Sequence, residues 1–226
     1  MKYVFLHGGP GLKDYLSTYF SKHFQNDGIF FQLNDDQKSV DKVVDFVEKQ
    51  IQDANSDITL VGHSWGGIIA MEYFSRKKDI SKIKKLILMC SPISVESEKF
   101  HQERLKNQGI DPSDLPSIFA TPEELANYAA DVQTIFSGLN PEVLGYYIEN
   151  QMSNYNFTET LKSIEIPIHN IIAEKDNRVT KEYLETYPQI NASIYNHIIK
   201  DCGHFPFLNP EVAQNISNMI REDIEC

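Results

Sequence analysis

Several kinds of segment are missing from this chain, and each absence narrows what the protein is. No apolar run approaches the roughly 20 residues needed to cross a bilayer, which argues against a membrane partner. Met1 to Leu6 runs straight into a strand-like segment and His7-Gly8, too short for the apolar region of a secretory leader. The 3 cysteines, Cys90, Cys202 and Cys226, show no CxxC spacing and cannot all pair, which suits a reducing cytoplasm. Basic residues are outnumbered and scattered: 21 Lys and Arg face 32 Asp and Glu, for a net charge of −11. That balance argues against nucleic acid or an anionic membrane as partner. Neither G-x-G-x-x-G nor G-x-x-x-x-G-K-[ST] occurs, no metal-ligand cluster is visible, and no cofactor is expected. Internal repeats and low-complexity segments are also missing.

What remains is a chain of 226 residues, 41% hydrophobic and 23% charged, enough for one globular domain with a substantial core. Compact apolar runs alternate with helical periodicity. Lys2 to Leu6, Gly28 to Leu33, Ile58 to Val61 and Leu86 to Cys90 read as strands. Between them lie helix candidates from Asp14 to about His23, across Val40, Val43, Val44, Val47 and Ile51, and from Gly66 to about Lys77. This rhythm predicts an α/β fold, a mainly parallel sheet with helices on both faces. From about 93 to 164 the rhythm breaks. No strand is convincing there, while Thr121-Pro122-Glu123-Glu124 spells a capping box and Asn140-Pro141-Glu142 opens another helix. We read 1–226 as a single domain with a helical cap inserted at about 93–164. Strands resume at Ile166 to Ala173 and Ala192 to Ile199, and a last helix starts at Asn209-Pro210, for six strands in all.

Gly62-His63-Ser64-Trp65-Gly66-Gly67 matches G-x-S-x-G between a strand and a helix. In such a turn the serine sits on a strained corner, and the residues two positions away on either side must be small. Ser64 is therefore the candidate nucleophile, with a helix N-terminus behind it to favour developing negative charge. A serine needs a base. His204, in Asp201-Cys202-Gly203-His204-Phe205, follows the last strand and so lies at the same sheet edge as Ser64. His23 and His101 fall in helices, His169 and His197 in strands, His63 in the turn itself with its ring expected to point away, and His7 at the start of a glycine-rich loop. The orienting acid should lie between nucleophile and base in sequence; Asp176 is preferred, with Glu174 as fallback. Two backbone donors must stabilise the oxyanion. The Trp65 amide is one. The loop after the first strand supplies the other from Gly9, with Gly8 as the alternative, since Pro10 has no N–H. Cys202 occupies no such turn and reads as a small hydrophobe rather than a nucleophile.

On these motifs the chain resembles the α/β-hydrolase superfamily along nearly its whole length. His7-Gly8-Gly9-Pro10-Gly11 together with Gly62-His63-Ser64-Trp65-Gly66-Gly67 is most similar to the prolyl iminopeptidase branch, which removes N-terminal proline from small peptides beneath a helical cap. The resemblance implies triad roles for Ser64, Asp176 and His204 and oxyanion roles for Gly9 and Trp65. It also implies a doubly wound six-stranded sheet that begins at what the superfamily counts as its third strand. The second strand of this chain would lie outermost, followed by the first, third, fourth, fifth and sixth. In the peptidase branch, cap glutamates hold the substrate's amino group; Glu96, Glu98, Glu103 and Glu149 are present here without a matching motif, and the insertion is shorter than that branch's cap.

The expected reaction is hydrolysis of a small ester or amide through an acyl-enzyme. Its rivals are a prolyl aminopeptidase, a lactonase or thioesterase, and a small-molecule-binding protein that keeps the fold without turnover. A dehalogenase would need a carboxylate where Ser64 stands. The partner is a small molecule or short peptide, and the insertion's apolar surface suits substrate or a second copy, a homodimer, equally well.

Overall fold

The computed structural model describes residues 1–32, 38–76 and 79–222. Leu33, Lys77 and Cys226, which enter the sequence reading above, lie outside the described residues.

Six strands form one all-parallel sheet in the order β2-β1-β3-β4-β5-β6. They are β1 (Lys2–Leu6), β2 (Gly28–Phe30), β3 (Ile58–His63), β4 (Ile83–Met89), β5 (Ile168–Ala173) and β6 (Ile194–Ile199). Helices α1 (Leu16–Phe24), α2 (Val40–Asp53) and α3 (Trp65–Ser75) connect the first four strands. Between β4 and β5 come α4 (Glu96–Gln108), α5 (Leu115–Phe119), α6 (Pro122–Ser137), α7 (Pro141–Tyr147), a π-helical turn (Ile148–Met152) and α8 (Thr158–Lys162). Short α9 (Lys181–Leu184) and α10 (Tyr187–Ile190) precede β6, and α11 (Pro210–Arg221) ends the described chain. The order is the one implied by the resemblance.

The alternation of side chains across the sheet divides the core into two layers. Val4, Leu6, Leu60, Leu86, Leu88 and Ile172 face α2 and α3, where Val43, Val44, Val47 and Ile51 form the apolar stripe of α2. Tyr3, Phe5, Val61, Ile87, Met89 and Ile171 face α1 and α11, meeting Phe20, Phe24, Ile216 and Ile220. With both faces covered, β3 and β5 are buried at every residue, the polar Thr59, His63, His169 and Asn170 included.

The differences at element ends have local causes. Asp14 precedes α1 instead of entering it, because its carboxylate accepts the Ser17 amide at 3.3 Å. β4 starts at Ile83, earlier than the apolar run at Leu86, since Lys85 is buried and its ammonium reaches the Glu222 carbonyl at 2.6 Å. β6 starts at Ile194 because the Asn191 side chain turns the chain by accepting the Ser193 amide at 2.8 Å.

Between β4 and β5 the described chain holds helices and their connecting loops and no strand, apart from one isolated antiparallel bridge between Ser94 and Asn156. That bridge joins its two ends, with the Phe157 amide on the Ile93 carbonyl (2.8 Å) and the Val95 amide on the Tyr155 carbonyl (3.1 Å). Beyond the bridge, α8 returns to the body of the fold, where Leu161 is fully buried in the α3-side core. The capping box at the start of α6 is formed in both directions by Thr121 and Glu124, and Asn140 caps α7.

Candidate active site

The order of strands places the chain's direction change between β1 and β3, and a crevice opens beyond their carboxyl ends. The glycine-rich loop after β1 and the turn after β3 both enter it. Ser64 sits on that turn at φ 53°, ψ −120°, a strained conformation for a residue with a Cβ. The surrounding backbone holds it there: the Ser64 amide donates to the Met89 carbonyl (2.9 Å), and the Gly67 amide to the Ser64 carbonyl (3.0 Å). The small residues two positions away are sterically required. A Cβ on Gly66 would lie 2.0 Å from the Leu6 carbonyl oxygen, and one on Gly62 would lie 2.6 Å from the Gly67 amide nitrogen.

His204 reaches the crevice from the loop after β6. Its Nδ1 lies 2.7 Å from Asp176 Oδ2, both side chains being buried, and its backbone amide donates to the Phe119 carbonyl at 2.8 Å. The other carboxylate oxygen of Asp176 accepts the amides of Arg178 (2.7 Å) and Val179 (2.9 Å). An Asp176 carboxylate fixed in this way can only accept from His204, so the imidazole carries its hydrogen on Nδ1 and leaves Nε2 as a base. Ser64 and His204 line the same cavity, about 290 Å³ in volume. Asp176 and His204 thus meet as the sequence suggests, while Glu174 lies elsewhere, its carboxylate 3.9 Å from the Lys181 ammonium.

Gly9, at φ +66°, and Trp65, the first residue of α3, also line the cavity. Gly8 is otherwise engaged: its amide donates to the Tyr15 hydroxyl at 2.8 Å. The Trp65 ring is pinned by its indole N–H, which donates to Gln151 Oε1 at 2.9 Å.

The His63 ring does not point away from the site. It lies under His204, with ring centroids 5.0 Å apart, because both of its nitrogens are satisfied inward, at the Tyr15 hydroxyl (2.6 Å) and the His204 carbonyl (2.8 Å). Burial holds its pKa well below the ordinary 6.5, so the ring is neutral. Cys202 is no thiolate: burial pushes its thiol up to about 12. Cys90, buried at φ +48°, is likewise raised by burial and by the adjacent Asp176 carboxylate. His63, Cys90 and His204 bring ligand-type atoms within 4.8 Å of one another, but both nitrogens of His63 and the Nδ1 of His204 are already committed.

The cavity walls are mainly apolar, with Leu115, Phe119, Leu139, Ile148 and Met152 contributed by the insertion. Among the described lining residues the single charged side chain is Arg178, which also pairs with Glu98 at 3.0 Å. Glu96, Glu98, Glu103 and Glu149 are all outside the lining. The insertion also braces the two loops that carry Asp176 and His204. His101 bonds the Asn177 carbonyl at 2.6 Å, and the Glu124 carboxylate accepts the Gly203 amide at 3.0 Å. Those braces join residues far apart in sequence, and apart from the capping box no local pattern announces them.

The chain belongs to the alpha/beta hydrolase family, whose model matches residues 3–213. Two proline iminopeptidases, from Elizabethkingia meningoseptica and Flavobacterium johnsoniae, are 35% and 34% identical over 89 residues. Each match covers 32% of this chain and 30% of the relative's own length. Among solved structures, a thermophilic esterase from Thermogutta terrifontis superposes with a TM-score of 0.76 at 17% identity, covering 98% of this chain and 90% of that one. A lipase-esterase related protein from Clostridium acetobutylicum gives 0.74 at 19%, covering 97% and 93%. Proline iminopeptidase from Mycobacterium smegmatis gives 0.66 at 16%, covering 97% and 89%. These likenesses share the fold, and the family supports hydrolase chemistry. No helix among the described residues is long and apolar enough to cross a membrane.

Proposed function

We propose that this protein is a serine hydrolase for small, largely apolar carboxylic esters. The observation that carries the reading is the buried His204–Asp176 pair, 2.7 Å apart, whose imidazole shares a cavity with the strained Ser64. Ser64 Oγ attacks the ester carbonyl carbon as its proton passes to His204 Nε2. The Gly9 and Trp65 amides take the charge on the carbonyl oxygen, with Gly8 set aside by its bond to Tyr15. Collapse of the tetrahedral intermediate breaks the bond to the alcohol, which leaves with the proton from His204. Water then gives its proton to the same nitrogen and attacks the acyl-enzyme, releasing the acid and restoring Ser64. Residues of about 93–164 act as the cap, closed at its base by the Ser94–Asn156 bridge.

Substrate class follows from the lining. The volume of about 290 Å³ stands at the small end of ligand sites. A protonated α-amino group would meet apolar walls and the Arg178 guanidinium, with no lining carboxylate among the described residues to compensate its lost hydration. The second reading, an aminopeptidase acting on N-terminal proline, is favoured by the His7-Gly8-Gly9-Pro10-Gly11 loop and by the partial likeness to two proline iminopeptidases. The test sets short p-nitrophenyl esters beside proline-β-naphthylamide, with Ser64→Ala as control. Ester turnover that disappears in the variant is expected. Dominant release from the proline amide would transfer the function to the second reading, and no turnover of either would favour a binding protein.

A further inference from the structure

Beside Ser64 runs a chain of three buried hydrogen bonds, of which the proposed reaction involves only the first, from Gly8 to Tyr15. The Gly8 amide lies 2.8 Å from Tyr15 Oη, Tyr15 Oη lies 2.6 Å from His63 Nδ1, and His63 Nε2 lies 2.8 Å from the His204 carbonyl oxygen. With the His63 ring kept neutral by burial, the two ends fix the direction of every bond. A backbone amide can only donate and a carbonyl can only accept. His63 must therefore carry its hydrogen on Nε2, which leaves Nδ1 to accept, and the Tyr15 hydroxyl must donate to Nδ1 while accepting from Gly8. No other assignment satisfies all three bonds at once. The ring also stays neutral beside a neighbour that becomes a cation during turnover, since its depressed pKa arises from burial and from His204.

The ends of this chain are informative. Gly8 immediately precedes Gly9, the proposed oxyanion donor, and the His204 carbonyl belongs to the proposed base. The middle residue, His63, is joined by a peptide bond to Ser64. Packing around the chain is tight. A Cβ on Gly8 would fall 2.6 Å from Tyr15 Oη and 2.7 Å from the Ser64 Cβ. Edge contacts of Tyr15 with Phe205 and of His63 with Phe207 hold both rings in place.

We infer that Tyr15 and His63 are positioning residues that lock the oxyanion loop and the base loop into one register around Ser64. The inference rests on the proposed roles of Ser64, His204 and Gly9. Asp176 sets the tilt of the His204 ring from one side, and His63 sets the height of its backbone from the other. Tyr15 ties that height to the Gly8–Gly9 peptide. Donors in an oxyanion hole help only when aimed at the oxygen's position in the transition state, so loss of this register acts on kcat rather than on ground-state binding.

The test uses Tyr15→Phe, which removes one oxygen and keeps the ring, and His63→Gln, which keeps an amide donor toward the His204 carbonyl. Turnover of a p-nitrophenyl ester, melting temperature and organophosphonate labelling are measured for both, for the double variant, and for Ser64→Ala. Tyr15→Phe is expected to lower kcat by roughly ten- to a hundredfold, the scale of a small misplacement of reacting groups, with KM within about twofold. Because both residues act through one chain, the double variant should be no slower than the slower single. Wild-type kcat in folded Tyr15→Phe, or losses that multiply in the double variant, would overturn the inference while leaving the triad intact. Persistence of turnover in Ser64→Ala is a separate result, one that would remove the triad reading and this inference together.

Discussion

Asp176 divides its two oxygens between two tasks. Oδ1 accepts two backbone amides of its own loop and Oδ2 faces His204, so rotation of the carboxylate would break three bonds at once. Replacement by Asn keeps the shape but presents an N–H group to one set of donors. Either the loop amides or the His204 N–H loses its acceptor, and the imidazole is driven toward the wrong tautomer. Asp176→Asn should lower kcat by roughly 10⁴-fold in steady-state ester hydrolysis while leaving the fold intact by circular dichroism. A loss below tenfold would remove Asp176 from the mechanism. The candidate triad was legible in the sequence because each member follows a strand and the chain order is fixed by the fold. Tyr15 and the inward ring of His63 were not. Tyr15 meets His63 across 48 residues, and only the packing of α1 on the sheet face brings them together.

At the scale of elements, α6 does two jobs through one side chain. Glu124 completes the capping box with the Thr121 amide at 2.8 Å and accepts the Gly203 amide, next to His204, at 3.0 Å. The capping box was readable from Thr121-Pro122-Glu123-Glu124, but the brace on the base loop was not, since it spans 79 residues. Glu124→Ala leaves two buried amides without acceptors and should destabilise the fold by about 2 kcal/mol in urea unfolding. Its titration has a definite sign. Burial raises the Glu124 carboxyl above its ordinary 4.5, against the opposing pull of its hydrogen bonds. The folded state then holds the proton more tightly than the unfolded chain, so this contribution is complete below about 4.5 and declines as pH rises through the raised value. Stability of Glu124→Gln relative to wild type should therefore improve between pH 4.5 and 7.5, as read from urea midpoints at constant slope. A constant or reversed difference would contradict that sign.

Over the whole molecule, the alternation of apolar runs and helical stripes was enough to place six parallel strands, because burial on both faces leaves signatures such as Ile58 to Val61, while their order came from the family resemblance and not from the pattern. What could not be read were the walls of the cavity. Leu115 and Phe119 come from α5, Leu139 from the link between α6 and α7, and Ile148 and Met152 from the π-helical turn, and only their assembly over Ser64 gives them a common purpose. The histidines supply a global property. Burial lowers the pKa of His7, His63, His101 and His169, the last to about 4 beside His197. In the unfolded chain these rings take up protons near 6.5, while the folded state resists, so stability falls as pH drops below about 6.5, with His169 contributing down to about 4. Melting temperature should decline steadily from pH 7 to pH 4.5, and His169→Gln should flatten part of that slope. A flat profile in wild type would contradict the neutral, buried state of these rings.

The central claim is that Ser64 is the nucleophile of a working serine hydrolase, and active-site labelling tests it most directly. Folded protein is treated with an organophosphonate, and the modified residue is located by peptide mass spectrometry. One equivalent of label is expected on Ser64, none on Ser64→Ala, and slowed labelling in Asp176→Asn. Label on any other residue, or undiminished labelling of Ser64→Ala, would contradict it.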